Sequence, residues 1–285
     1  MDLIDIVIPW VNPTDTEWQA NYKKYAGSKG DKDPNRFRDA GTFQYWFKLI
    51  RKNCKFVYRI VLLLAQKSQV PTWLDTNAND LRIVFHDEFI PKTELPTFNS
   101  SVINCYIPFI PGLSEKYILF NDDMFMIRPS HKGDWFSGDR PRFCSEWREF
   151  PIDGKTWEHN IALCQGLVNQ FMKTKAFYNP EHAPLPHIRS LDLFFWHKYG
   201  KVFKEALKGS RFRKSKNITD WIFSMLYKVG KFGEDRGNIS TYYNTEKIDI
   251  PHTCVACYND TERITDYNGY RTSLKAILKY VSGVT

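Results

Sequence analysis

The chain has 285 residues, of which 42% are hydrophobic and 16% aromatic, enough for one large packed domain or two small ones and too much for a disordered segment. Forty Lys and Arg against 32 Asp and Glu leave a formal net charge of +8, an excess that suits an anionic substrate, an anionic membrane surface or nucleic acid. No window reaches the roughly 18 apolar residues that span a bilayer, and MDLIDIVIPW at the start has neither a basic leader nor a small-residue cleavage site, so a cytoplasmic location is expected.

In chain order, IDIVIPW (Ile4 to Trp10) reads as a buried first strand ending in the polar loop WVNPTD, where Pro13 stops it. Phe43, Phe47 and Ile50 then recur at helical spacing, and YRIVLLLA (Tyr58 to Ala65) is a second strand. Pro71 and Trp73 are expected to open a short helix before LRIVFHD (Leu81 to Asp87) and KYILFND (Lys116 to Asp122), the third and fourth strands. Alternating strands and helices predict an α/β sandwich on a largely parallel sheet. From about residue 150 the pattern turns helical and more basic, with helices expected over 156–175, 188–208 and 217–230. Residues 1–150 and 151–285 are thus read as an α/β core and a mainly helical part that together make one compact unit.

Two basic features stand out. Lys201, Lys204, Lys208, Arg211, Arg213, Lys214 and Lys216 are opposed within 201–216 only by Glu205. A last helix carries Arg271, Lys275 and Lys279 opposite Leu274, Ile277, Leu278 and Val281; it either caps the core or lies on an anionic membrane surface, which would make the protein peripheral at the inner face of the cell membrane. The six cysteines are scattered, as expected of reduced thiols, and the lone CVAC pair, Cys254 and Cys257, lacks the second pair that a structural zinc needs.

The chemistry is concentrated in YILFNDDMF, Tyr117 to Phe125. Adjacent carboxylates inside an apolar run repel one another and are costly to bury, a conflict that a bound cation resolves. In an open α/β sheet ligands bind beyond the carboxyl ends of the strands, where WVNPTD, HDEF and NDD all fall. Hard oxygen ligands favour Mg²⁺ or Mn²⁺ shared with a diphosphate. Strand alternation puts Asn121 and Asp123 on one face, with Asp122 joining where the chain turns.

DIVIPWVNPTD at the start, RFRDAGTFQYWFKLIRKN (Arg36 to Asn53), VPTWL (Val70 to Leu74), LPTFNSSVI (Leu95 to Ile103) and IPGLSEKYILFNDDMF (Ile110 to Phe125) resemble the first two conserved regions of the Stealth family. That family includes bacterial capsule and cell-surface polysaccharide phosphotransferases and the lysosomal-enzyme N-acetylglucosamine-1-phosphotransferase. EHAPLPHIRS, FRKSKNI and CYNDT resemble parts of its third and fourth regions. The resemblance implies a Rossmann-like (GT-A-like), nucleotide-sugar-binding sheet between helices, and transfer of a sugar 1-phosphate from a UDP-sugar, UDP-GlcNAc or similar, to a hydroxyl of an acceptor glycan expected to be lipid-linked. The products would be a phosphodiester and UMP.

By the same resemblance, Asp122 and Asp123 with Asn121 would hold the divalent ion, and Asp5 would sit close to them. His182 would take the acceptor proton, with His187 as a second candidate, and Arg213, with Arg211 as its competitor, would neutralise the phosphoryl oxygens. The donor is expected near Trp10, for which core packing is an equal alternative, Val11 and Asn12, with Arg36, Arg38 and Asp39 at its ribose or diphosphate and Asn99 and Ser100 at the sugar phosphate; Asn259 and Asp260 would complete the metal or acceptor site. The chain departs from the family where Pro13 replaces a glycine and where Asn104 replaces a common Glu. Two rival readings are a metal-dependent glycosyltransferase releasing UDP and a nucleic-acid-binding protein. The second is disfavoured, since no recognition module is present and nucleic acid is not expected as a partner.

Overall fold

A computed structural model describes residues 3–27, 37–146, 149, 156–234, 241–244, 248–259 and 264–283. Its main sheet holds β1 (Ile4–Pro9), β2 (Arg59–Leu64), β3 (Leu81–Phe85) and β4 (Lys116–Leu119), all parallel. After β5 (Met124–Met126) come α-helix-flanked short pairs: β6 (Phe136–Ser137) with β7 (Arg140–Pro141), and β8 (Ser145–Glu146) with β9 (Asn179–Pro180). A later strand, β10 (Leu185–Ile188), adds to β4 in antiparallel sense, giving the order β10-β4-β1-β2-β3. The second half of the chain therefore supplies an edge of the first half's sheet.

The unbroken apolar runs of β1 and β2 suit strands covered on both faces. Ile4, Ile6 and Ile8 pack on one side with α2 (Phe43–Asn53) and α8 (Tyr267–Ser282). Val7, Val61 and Leu63 pack on the other, against α3 (Ser100–Tyr106), α5 (Thr156–Met172), α6 (Arg189–Leu207) and α7 (Trp221–Val229). The fold is α/β, a sheet between two helical layers. A small second sheet, β11 (Thr241–Asn244), β12 (Val255–Tyr258) and β5, stands beside it.

The three expected helices of the second half are present with shorter ends. Lys173 and Gly209 take positive φ just beyond α5 and α6 and stop them. The helix expected at Pro71 and Trp73 is absent: Leu74 N–H donates to Pro71 O, and Asp75 Oδ1 accepts from Asn77 N–H, so turn-forming side chains outcompete the helix there. Several elements lie outside the sequence reading, among them β10, the short strands β5 to β9, β11 and β12, the single-turn α4 (Lys132–Trp135), α1 (Thr16–Ala26), capped by Asp15 Oδ1 accepting from Trp18 N–H at 2.7 Å, and α3, capped by Asn99. All six cysteines are free thiols, and no helix among the described residues is long and apolar enough to cross a membrane.

Candidate active site

The four parallel strands deliver Trp10–Asn12, Ala65–Gln66, His86–Asp87 and Asn121–Asp123 to one edge of the sheet. Because β10 runs the other way, the residues leading into it reach that same edge. Leu185 faces Leu119, so His182 arrives beside the turn that holds Asp122 and Asp123. From the small sheet, Cys257 lies opposite Met124 and Tyr258 N–H donates to Asp123 O at 2.9 Å. His182 Nδ1 stands 3.8 Å from Cys257 Sγ; burial, then the nearby Asp123 charge, push the Cys257 pKa well up.

Desolvation, then the charges of Asp123 and Asp39, push the Asp122 carboxyl up to about 7. The Asp122 side chain keeps contact with solvent, which weakens the burial contribution and leaves the two neighbouring charges as the firm part of the shift. Asp123 Oδ1 is buried without a hydrogen-bond partner. Adjacent carboxylates, one with an orphaned oxygen, fit a hard divalent cation. No cluster of three or more His, Cys, Asp or Glu among the described residues is arranged as a ready cage, so such an ion would complete its shell with substrate oxygens and water, the habit of Mg²⁺. Alternation does not govern this set: β4 ends at Leu119 and the pair lies in a turn.

The Trp221 ring lies 6.2 Å from that of His182, and Asp220 immediately precedes Trp221 at the start of α7. Burial raises the Asp220 pKa, partly offset by Asn104 Nδ2 donating to its Oδ1 at 3.1 Å. One turn earlier on α3, Ser100 Oγ accepts from an Arg213 amine at 2.8 Å. Arg213 is exposed, whereas Arg211 donates to Leu95 O and stacks over Tyr25. His187 is likewise internal, stacked on Tyr117 with Nδ1 3.2 Å from buried Asp192. In each pair of candidates the exposed or cluster-facing member is Arg213 or His182.

The loop 38–41 closes the third side. Arg38 lies over the Tyr267 ring at 4.0 Å, Asp39 faces Asp122, and Arg271 Nε donates to Ala40 O at 3.1 Å. Gly41 takes φ +68, a left-handed conformation that favours glycine, and lies beside the flexible end of Lys275. Tyr270 OH, also on α8, donates to Tyr258 O at 3.0 Å. Helix α8 thus holds both this loop and β12. Two cavities flank Trp18. One, of about 340 Å³ beyond β2 and β3, is lined by Gln66, His86, Asp87 and Phe98 among others; the other, of about 430 Å³, lies between Pro13, Tyr22, Phe37 and Arg38.

Three expected site residues are placed elsewhere. Asp5 lies near the start of β1, at the opposite edge of the sheet, where both its oxygens accept from Arg59 at 3.0 Å and Ser114 N–H donates to Oδ2 at 2.8 Å. It ties strand beginnings together, about 13 Å along the strand from Pro9. Trp10 is core, stacked on Phe43 at 4.8 Å. Asn99 is fully buried and bonded within the protein. Val11 and Asn12 stay at the binding edge, with Asn12 Oδ1 accepting from Thr14. Asn259 follows β12 beside the acidic turn, while Arg36 and Asp260 lie outside the described residues. Cys257, Asp220 and Tyr267 were missed: nothing in a lone thiol, a carboxylate before a helix or a tyrosine within one signals a site until the topology assembles it.

Two family models match the chain: Stealth protein conserved region 1 over residues 4–30 and conserved region 2 over 36–143. A capsular polysaccharide phosphotransferase, WcwK, of Streptococcus pneumoniae is 32% identical over 78% of this chain and 76% of its own length. The chain belongs to the Stealth family. A receptor polysaccharide phosphotransferase, WefC, of Streptococcus oralis is 31% identical to this Stealth chain over 78% of it and 77% of the relative, and another WcwK of Streptococcus pneumoniae is 36% identical over 94% and 92%. Among solved structures, galactosyltransferase LgtC in complex with donor and acceptor sugar analogs aligns with TM-score 0.47 and 12% identity over 98% of this chain and 95% of that one. Arg38, Asp39, Asn104, Asp122 and Asp123 fall inside the second Stealth region; His182, Arg213, Asp220, Cys257 and Tyr267 lie beyond it.

Proposed function

We propose that this Stealth protein transfers a hexose or N-acetylhexosamine 1-phosphate from a UDP-sugar to a hydroxyl of an acceptor glycan, releasing UMP, in the synthesis of a capsular or cell-surface polysaccharide. The observation that carries the reading is the meeting of the Asp122–Asp123 pair with His182 through Cys257 at the ligand-binding edge of the sheet. The relatives' names as polysaccharide phosphotransferases support the reaction class.

The acceptor oxygen attacks the phosphorus that bears the sugar, the bridging P–O bond to the nucleotide breaks, and UMP leaves with that bond's electron pair. Such a transfer depends mainly on positioning and charge neutralisation. Asp122 and Asp123 would hold Mg²⁺ or Mn²⁺, which when bound neutralises diphosphate charge. His182 accepts the acceptor's proton, with Cys257 and Asp220 fixing the imidazole between them. Arg213, anchored on Ser100, offers its guanidinium to the equatorial oxygens. Arg38, held over Tyr267, faces the diphosphate, and the cavity beyond β2 and β3 takes the nucleoside, as the binding rule for open sheets requires. Mass spectrometry of a soluble acceptor glycan after incubation with a UDP-sugar panel tests the reading: the product should gain a sugar phosphate, and a gain of sugar alone would refute it.

A further inference from the structure

The loop after α6 displays cations, yet its interior is built from buried asparagines. Asn99 and Asn217 are almost wholly buried. Asn99 Nδ2 donates to Ser210 O at 3.0 Å and to Asn217 Oδ1 at 2.9 Å, while Asn217 Oδ1 accepts from Lys214 N–H at 3.0 Å and its Nδ2 donates to Ala206 O and Ser210 Oγ. Phe98 N–H donates to Arg211 O at 2.7 Å, and Phe212 stacks inward on Phe98. Burying so many amide groups is tolerable only because nearly every one is bonded, and a network of this kind fixes the backbone in one conformation. An ordinary solvated loop has no need of that.

What the network holds still is Lys208, Arg213, Lys214 and Lys216, all exposed. Lys214 Nζ donates to Gly209 O at 2.9 Å, which places the ammonium and leaves further N–H groups for a ligand. Two acids oppose them: Glu205, 3.9 Å from Lys208, and Glu94, whose Oε2 accepts from Gly209 N–H at 3.0 Å, leaving the cations in excess. The loop leads directly into Asp220 and Trp221 beside His182, so Lys216 stands at most about 18 Å of chain from the acceptor side of the site. No apolar side chain of 213–216 is available for insertion into lipid.

Resting on the reaction proposed above, we infer that the 208–216 loop is a preset platform for an anionic acceptor: a glycan that already carries phosphodiesters in its chain. Each round of the reaction leaves a negative charge behind, and a rigid row of cations beside the acceptor site holds such a chain in register while discriminating against neutral glycans.

The test titrates an oligomeric glycerol phosphate, a plain phosphodiester chain, into the intact protein at physiological ionic strength, read by calorimetry. Lys214→Gln/Lys216→Gln should weaken binding about tenfold, while Lys55→Gln/Lys279→Gln, which removes the same charge elsewhere, changes it less than about twofold. Equal weakening by both doubles, or no binding by the unaltered protein, would overturn the inference. So would a loop double variant that loses phosphatidylglycerol vesicles but keeps the oligomer, because the loop would then be a lipid contact. Binding is read without turnover, so failure here is separable from failure of the transfer reaction.

Discussion

His182 Nδ1 lies 3.8 Å from the sulfur of Cys257, and Cys257 pairs across the small sheet with Met124, the residue after Asp123. One small side chain thus spaces the proposed base from the proposed metal ligand. Cys257→Ala should lower kcat by on the order of tenfold, the usual effect of losing support behind a ligand, while leaving acceptor KM little changed. Cys257→Ser should recover part of that loss. Steady-state kinetics of the two variants distinguish this role from plain packing, which would show as lower thermal stability with unaltered kcat.

The acidic turn should make the protein respond to pH in a particular direction. Desolvation, reduced by this side chain's solvent contact, and the charges of Asp123 and Asp39 hold the folded Asp122 carboxyl above its ordinary range, so between about pH 4 and its raised pKa the folded state binds a proton that the unfolded state has lost. Stability contributed by this group therefore falls as pH rises through that window when no divalent cation is present. Melting curves from pH 5 to 8 should show the decline; Asp122→Asn should flatten it, and Mg²⁺ should oppose it. Asp123→Asn should cut turnover by orders of magnitude with the fold intact.

Asp5 separates stability from chemistry. Losing the charge removes the buried ion pair with Arg59 and leaves one amide oxygen for two sets of donors, so Asp5→Asn should destabilise the fold by about 3 kcal/mol. Turnover by the folded fraction should be near normal. A large loss of kcat with an unchanged melting temperature would return Asp5 to the active site.

Under the proposed function, helix α8 would hold the donor side. Tyr267→Leu and Arg271→Gln each release one hold on the 38–41 loop; a displacement of Arg38 and Asp39 by even 1 Å should raise donor KM on the order of tenfold. Arg271 and Lys275 therefore serve the loop, and vesicle sedimentation should be insensitive to changing them. Release from anionic vesicles in the Arg271→Gln variant with unchanged donor KM would favour the membrane reading of this stripe.

Legibility in the sequence followed the range of the interactions. Strands β1 to β4 were readable because each carries a short run rich in Ile, Val and Leu, and Asp122 and Asp123 because adjacent acids at the end of such a run conflict with it. His182 and Arg213 were readable only through family resemblance. Asp5 misled because a carboxylate in a strand carries no mark of which end of the sheet it occupies; only the register with Arg59 decides that. Asn99 misled because a motif in a site region can serve the loop behind the site. Strand β10 was hidden, since LPHI is short and contains a proline that only an edge strand accepts.

The central claim is that phosphorus moves with the sugar. Phosphorus NMR of a reaction containing the protein, Mg²⁺, the accepted UDP-sugar and a glycan acceptor observes the nucleotide and the product together. UMP appearing in step with a new phosphodiester resonance on the glycan is the predicted result. UDP accumulating, with a glycan product that contains no added phosphorus, would contradict it.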